Sequence, residues 1–80
     1  MKKVEVEWLD SISEGRWYGK DAVIAEATRE AMVHRSLGYL LHENEDMVLL
    51  AGSRSETGVM VCDTMQIPRV AVLTMRELRR

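Results

Sequence analysis

The 80-residue sequence has few of the residues that cross-link or interrupt a small domain. It contains one cysteine, one proline and no phenylalanine, and its aromatic residues are two tryptophans and two tyrosines. A single cysteine excludes an internal disulfide and a cysteine-rich zinc site. A core of aliphatic side chains therefore has to stabilise the fold, and the length fits one domain spanning residues 1–80.

The sequence also lacks a large charge excess and a long apolar run. Eleven Lys and Arg oppose thirteen Asp and Glu, which gives a formal net charge of −2. This excludes a basic surface spread over the whole chain but allows a local basic patch. No apolar run approaches the roughly 18–20 residues of a membrane span, and Glu5 and Glu7 occupy the place of a signal peptide's apolar region. These absences predict a cytoplasmic protein that does not bind a membrane.

Local patterns predict a strand followed by one helix. Val4, Val6 and Trp8 alternate with charged residues, which is typical of a half-buried strand over residues 4–9. Asp21 is a candidate helix N-cap, and the absence of Gly and Pro favours a helix over residues 22–32. The rest of the chain is predicted as four strands, at residues 35–42, 47–51, 59–67 and 70–77. Pro68, which has no amide hydrogen, separates the last two.

Three of these later strands are apolar at consecutive positions rather than at alternate ones. In a sheet with one solvent-exposed face, apolar and polar residues would alternate along each strand. The consecutive apolar residues therefore predict strands that are buried on both faces. One face can close as a small barrel. The other face can be covered either by strong curvature, which brings the two faces of one strand into different parts of the core, or by contact with other subunits. We therefore expect a homo-oligomer; the alternative is a monomer whose helix covers the sheet.

The segment from residue 38 to residue 49 resembles the first motif of Sm-like proteins. The tripeptide at 38–40 (Gly-Tyr-Leu), the Asp-like Asn44 and the tripeptide at 47–49 (Met-Val-Leu) have the spacing of that motif. The resemblance implies a mainly β fold, a small five-stranded open barrel that assembles as a ring. The helix inserted after strand 1 is a departure from the family, because in Sm-like proteins the helix precedes the first strand. Val48 stands where Sm-like proteins carry an RNA-binding asparagine, and valine cannot hydrogen-bond a base.

The chain also resembles small uncharacterised bacteriophage proteins. The resemblance is carried by the Trp8 strand, by residues 36–40 and 48–51, and by the dipeptide Ile67-Pro68. It implies a phage-type protein acting in the host cytoplasm.

The most promising binding residues are Arg16, Trp17 and Tyr18, followed by Lys20. Cations beside two neighbouring aromatics are suited to stacking on a nucleic acid base. The alternative is structural, with Trp17 closing one end of the barrel and Tyr18 covering the helix. Arg54 and Arg69 are further candidates, because arginines at the mouth of a ring would repeat in every subunit. Asn44 is added as the Asp-like residue of the Sm-type motif, and these three residues complete the candidate ligand-binding set with Arg16, Trp17 and Tyr18.

No pattern in the sequence points to catalysis. There is no Ser/His/Asp order, Gly-rich phosphate loop or paired-carboxylate motif. Cys62 lies in an apolar strand and is interpreted as a buried small hydrophobe, His34 and His42 as surface residues, and the acidic residues 43–46 as a solvated turn. We expect no catalytic residue, no metal site and no cofactor.

The sequence therefore favours a non-enzymatic, oligomeric binding protein of phage type whose ligand is a nucleotide or nucleic acid. One alternative is a sponge that sequesters a signalling nucleotide at subunit interfaces. Another is a structural or partner-binding protein without a small ligand.

Overall fold

The computed structural model describes residues 1–10, 15–27 and 33–79. Within them the chain is mainly β, with one short helix placed after the first strand as predicted. The elements in chain order are β1 Lys3–Leu9, α1 Lys20–Ala27, β2 Val33–Glu43, β3 Met47–Arg54, β4 Val61–Pro68, a 3₁₀ turn Arg69–Ala71, and β5 Val72–Glu77.

Helix α1 starts two residues earlier than the predicted cap requires. Asp21 lies inside its first turn rather than at the N-cap, where a carboxylate still interacts favourably with the helix dipole. The Val23 amide donates to the Gly19 carbonyl at 3.1 Å. The predicted continuation over residues 28–32 falls outside the described residues. No helix in the described part of the chain is long and apolar enough to cross a membrane.

The five strands form one antiparallel sheet in the order β4-β3-β2-β1-β5. The long strand β2 is shared between two neighbours. Its first part pairs with β1, from Leu9 opposite Val33 to Lys3 opposite Tyr39, and its second part pairs with β3 from Tyr39 onward. The sheet is curled. This curvature brings Ser36 of β2 into contact with Met65 of β4 across the intervening strand β3, with 3.6 Å between Oγ and Sδ. It does not close, so β4 and β5 remain as its two edges.

The core lies on one face of this curled sheet. Its buried side chains come from three strands and are Val4, Val6, Val48, Leu50 and Ile67. The alternation predicted for β1 is confirmed, since Val4 and Val6 are buried while Glu5 and Glu7 are only half-buried on the other face. Trp8, Leu40 and Val72 pack against the core from its margin.

The single chain does not cover both faces of the later strands. In β4 only Ile67 is buried, and Val61 and Met65 are about two-fifths exposed. The interpretation of Cys62 as a buried residue is wrong, because its thiol side chain is exposed. It lies on the edge strand opposite Ser53, where no further strand of residues 1–10, 15–27 and 33–79 lies beside it. The apolar run of β4 therefore lies at an edge of the sheet, whereas the sequence pattern predicted that both of its faces are covered.

Candidate functional site

The segment Arg16–Lys20 leads into helix α1 and presents its side chains to solvent. Trp17 is 100% exposed and Tyr18 is 54% exposed, and Arg16 and Lys20 are exposed beside them. The interpretation of Trp17 as a residue that closes one end of a barrel is therefore wrong. Two aromatic rings and two cations lie within five consecutive exposed residues.

The exposure of Trp17 has an energetic consequence. A tryptophan side chain buries about 150–250 Å² when it packs, and at about 25 cal/mol per Å² this is worth about 4–6 kcal/mol. In the isolated chain Trp17 contributes none of this to folding. Its indole ring is available for a ligand or a second protein.

Asn44 shapes the turn between β2 and β3. Its side-chain Oδ1 accepts hydrogen bonds from the amides of Asp46, at 2.8 Å, and Met47, at 3.0 Å. The Asn44 backbone amide donates to the Met47 carbonyl at 3.0 Å. The side-chain carbonyl is thereby occupied within the turn, which is the ordinary role of Asn in such a position.

Arg69 lies against the same turn. Its amide donates to the Asp46 carbonyl at 2.9 Å, so the start of the 3₁₀ turn is fixed beside Asn44. The Arg69 side chain is exposed. Asn44 and Arg69, which are 25 positions apart in the sequence, thus lie at one end of the molecule.

Arg54 lies at the far end of β3 from that turn. Its Nη1 donates to the carbonyls of Ser55, at 3.2 Å, and Glu56, at 3.1 Å, and its guanidinium carbon is 5.3 Å from the centre of the Tyr39 ring. A strand rises about 3.3 Å per residue, so the seven steps from Met47 to Arg54 span about 23 Å. Within one chain, Arg54 and Arg69 do not converge on one ligand.

A row of polar contacts at the margin of the core was not anticipated from the sequence. The Trp8 indole Nε1 donates to Ser36 Oγ at 2.9 Å, and its ring lies 5.3 Å from the ring of His34. His34 Nε2 is 3.3 Å from Asp10 Oδ2. The sequence contained no signal for this, because it depends on the β1–β2 register that places Trp8 opposite His34. His34 is half-buried rather than a plain surface histidine, whereas His42 is exposed.

Charged side chains on the side of the sheet opposite the core form ion pairs with one another. Arg76 Nε contacts Glu5 Oε1 at 3.1 Å, and Arg35 Nη2 contacts Glu7 Oε1 at 3.6 Å. Thr74 donates to the other oxygen of Glu7 at 3.2 Å. These cross-strand pairs are exposed and contribute little stability, and they leave the arginines of this face partly engaged.

An open depression lies at the β3–β4 hairpin. It has a volume of about 350 Å³ and is lined by Ser53, Arg54, Ser55, Met60, Val61 and Cys62. Its lining contains one thiol and no histidine or carboxylate. Among the described residues, no group of three or more His, Cys, Asp or Glu side chains is arranged to hold a metal ion.

No known protein family matches the chain, and no curated protein or solved structure is significantly similar to it.

Proposed function

We propose that the protein is a non-enzymatic, self-associating binding protein that takes single-stranded nucleic acid on Arg16, Trp17 and Tyr18. The observation that carries this proposal is the complete exposure of the Trp17 indole ring between a cation and a second exposed ring. A base stacks on an exposed aromatic face whatever its sequence, and neighbouring cations contact the phosphates. Each stacked base is worth about 1–3 kcal/mol.

The shape of the surface favours an extended ligand over a free nucleotide. A small-molecule site encloses most of its ligand in a concave pocket. The depression described above lies at the hairpin and is not lined by residues of the segment Arg16–Lys20. An open platform suits a strand that passes from one subunit to the next, whereas a nucleotide sponge needs an enclosed interface. Sequestration of a signalling nucleotide is therefore the second function that the binding experiment distinguishes.

Self-association is supported by the two free edges of the sheet. Among the strands that the structure describes, β4 and β5 each pair on one side only, and exposed strand edges favour pairing with another chain. The Sm-like resemblance implies a ring-type homo-oligomer, and the resemblance to small bacteriophage proteins implies a protein of phage type. Repetition of one weak stacking site around such an assembly raises the overall affinity without any new contact.

The experiment is fluorescence anisotropy with a labelled single-stranded oligonucleotide, as RNA and as DNA, titrated with the wild-type chain and with Trp17→Ala. We expect Trp17→Ala to weaken binding about 5- to 150-fold, which corresponds to the loss of one stacked base. The matched control is Leu37→Ala, which truncates another side chain that is 63% exposed. It should leave the affinity unchanged.

Three other results would contradict the proposal. Equal loss in both variants would show that the effect is not stacking at Trp17. Tight binding of mononucleotides but not of oligonucleotides would favour the sponge. Absence of binding to either, with a host protein bound instead, would favour a partner-binding protein. Arg16→Ala should reduce both the affinity and its dependence on salt, because a phosphate contact is lost.

A further inference from the structure

We infer that Asp63 keeps the β4 edges of two copies of this chain from pairing with each other. Asp63 lies in the middle of β4, which forms one edge of the sheet built by the described strands. An edge strand presents unpaired amides and carbonyls to any chain that can pair with them. The inference goes beyond the proposed function and does not require it, because a monomer also has to be protected from aggregation.

The first argument is the apolar character of this edge. The segment of residues 57–68 has one charged side chain, that of Asp63, and its single proline is its last residue. Val59 is 80% exposed, Met60 is 70% exposed and Met65 is 41% exposed. An exposed edge with high β propensity and little charge favours aggregation. A charged residue within such a segment is a common means of preventing it.

The second argument is the backbone of Asp63. Its φ angle is +57°, and no other residue except glycine has a positive φ in the described part of the chain. Strand residues have φ of about −120° to −140°, so β4 is not extended at this position. The β3–β4 ladder is paired on both sides of Asp63 without a change of register, but Asp63 is not paired with Gly52 opposite it. A residue held in this unfavourable conformation points to a functional constraint.

The third argument is the space that Gly52 provides on β3. A Cβ atom at Gly52 would lie 3.2 Å from the Asp63 Cβ and 3.8 Å from Asp63 Oδ2. The Asp63 side chain therefore lies close beside the Gly52 backbone. Glycine inside a strand is typical of such a close approach. The irregularity in β4 thus depends on two residues, because Asp63 adopts the left-handed conformation and Gly52 leaves room for it.

The charge and the backbone of Asp63 both oppose a second β4 strand. In a parallel, in-register stack, identical residues of neighbouring copies lie about 4.7–4.8 Å apart, so the Asp63 carboxylates would repel each other. An antiparallel copy would have to pair with a backbone that is not extended at its centre. Self-association of the protein therefore does not pair β4 with β4.

The main experiment follows assembly by thioflavin T fluorescence and sedimentation velocity, in a reductant that keeps Cys62 as a thiol. Asp63→Val removes the charge and disfavours a positive φ. We expect its lag before assembly to be about tenfold shorter than that of the wild-type chain, or assembly to occur where the wild type shows none, because both obstacles to pairing are lost. Glu45→Val is the matched control, since Glu45 is exposed in the β2–β3 turn. This control makes the same change in net charge away from β4 and should assemble like the wild type.

A second comparison separates strand pairing from loss of stability. Val48 is fully buried in β3, so Val48→Ala destabilises the fold and leaves the β4 edge unchanged. We expect Asp63→Val to assemble faster than Val48→Ala. Hydrogen exchange should show that amides of residues 61–67 that exchange freely in the wild type are protected in the assembled Asp63→Val chain. Assembly of Asp63→Val at the rate of either Glu45→Val or Val48→Ala, or unprotected β4 amides, would overturn the inference.

Asp63→Gly keeps the inference testable if Asp63→Val does not fold. Glycine adopts a positive φ without strain, so this variant retains the irregular backbone and loses only the charge. Its lag should be shorter than that of the wild type but longer than that of Asp63→Val. A lag equal to the wild type would overturn the role of the charge, and a lag equal to Asp63→Val would overturn the role of the backbone.

Gly52→Ala tests the contact between the two residues in solution. We expect it to lower the urea midpoint of the wild-type chain and to lower it less in an Asp63→Gly background, where no Cβ remains to clash. Equal shifts in both backgrounds would overturn the contact on which the third argument depends. None of these results bears on oligonucleotide binding, which is tested separately at Trp17.

Discussion

Replacement of Gly38 by alanine tests the packing of the sheet at its most crowded point. Gly38 lies just before Tyr39, where β2 passes from its pairing with β1 to its pairing with β3. A Cβ atom added there would lie 2.8 Å from the Ala51 carbonyl oxygen and 3.3 Å from the Leu50 Cβ. The first contact is with backbone, so one of two paired strands has to move.

The magnitude follows from two opposing terms. Overpacking of a tight site costs about 1–3 kcal/mol, whereas Gly→Ala recovers about 0.4–1 kcal/mol by restricting the unfolded chain. The middle of the two ranges gives a net loss for Gly38→Ala of about 1.3 kcal/mol. With a slope of about 1 kcal/mol per molar urea for a small domain, the unfolding midpoint falls by about 1.3 M.

The assay is urea unfolding followed by circular dichroism, with Gly19→Ala as the control. A Cβ on Gly19 meets no atom within 4 Å, so this substitution should leave stability unchanged or raise it slightly. The reasoning is refuted if Gly38→Ala unfolds at the same urea concentration as Gly19→Ala, because the close approach of β2 and β3 would then not exist in solution.

Three further substitutions probe the core, the hydrogen bond from Trp8 to Ser36 and the β2–β3 turn. Ile67→Ala removes a fully buried side chain and should cost about 2–5 kcal/mol, while Val70→Ala, at an exposed valine, should cost under about 0.5 kcal/mol; equal urea midpoints would contradict the assigned core. Ser36→Ala leaves the Trp8 indole without its acceptor and should cost about 1–3 kcal/mol, an effect that should largely disappear in a Trp8→Phe background. Asn44→Ala removes two acceptor contacts in the turn and should cost about 1 kcal/mol, whereas Asn44→Asp retains the acceptor and should unfold close to wild type in the same titration.

The strand pattern of the amino half was predictable because its information is local. Side chains of a strand alternate between two faces, so the order of Val4, Val6 and Trp8 predicts both the strand and its buried side. The location of the helix after β1 and the strand that ends at Pro68 follow equally from short segments. The helix start was misplaced by two residues, since Asp21 is as suitable for a first turn as for a cap.

The candidate site was only partly predictable. The cluster of Arg16, Trp17 and Tyr18 is visible in the sequence as neighbouring residues, but only the structure gives the exposure of Trp17. Asn44 was identified through a family resemblance as a ligand-binding candidate, and the structure adds its role in the turn. The separation of Arg54 from Arg69 could not be anticipated, because it depends on which ends of the strands meet.

The amino-acid order by itself determined the element types, the buried face of β1 and the position of an aromatic and basic cluster, all of which depend on residues within a few positions of one another. Tertiary structure alone decided that β4 is an edge strand, that Cys62 is exposed and that Trp8 bonds Ser36. Those properties depend on strand order and register between residues far apart in the chain. An apolar run has the same sequence whether it lies at the centre of a sheet or at its edge, and only the neighbouring strands distinguish the two.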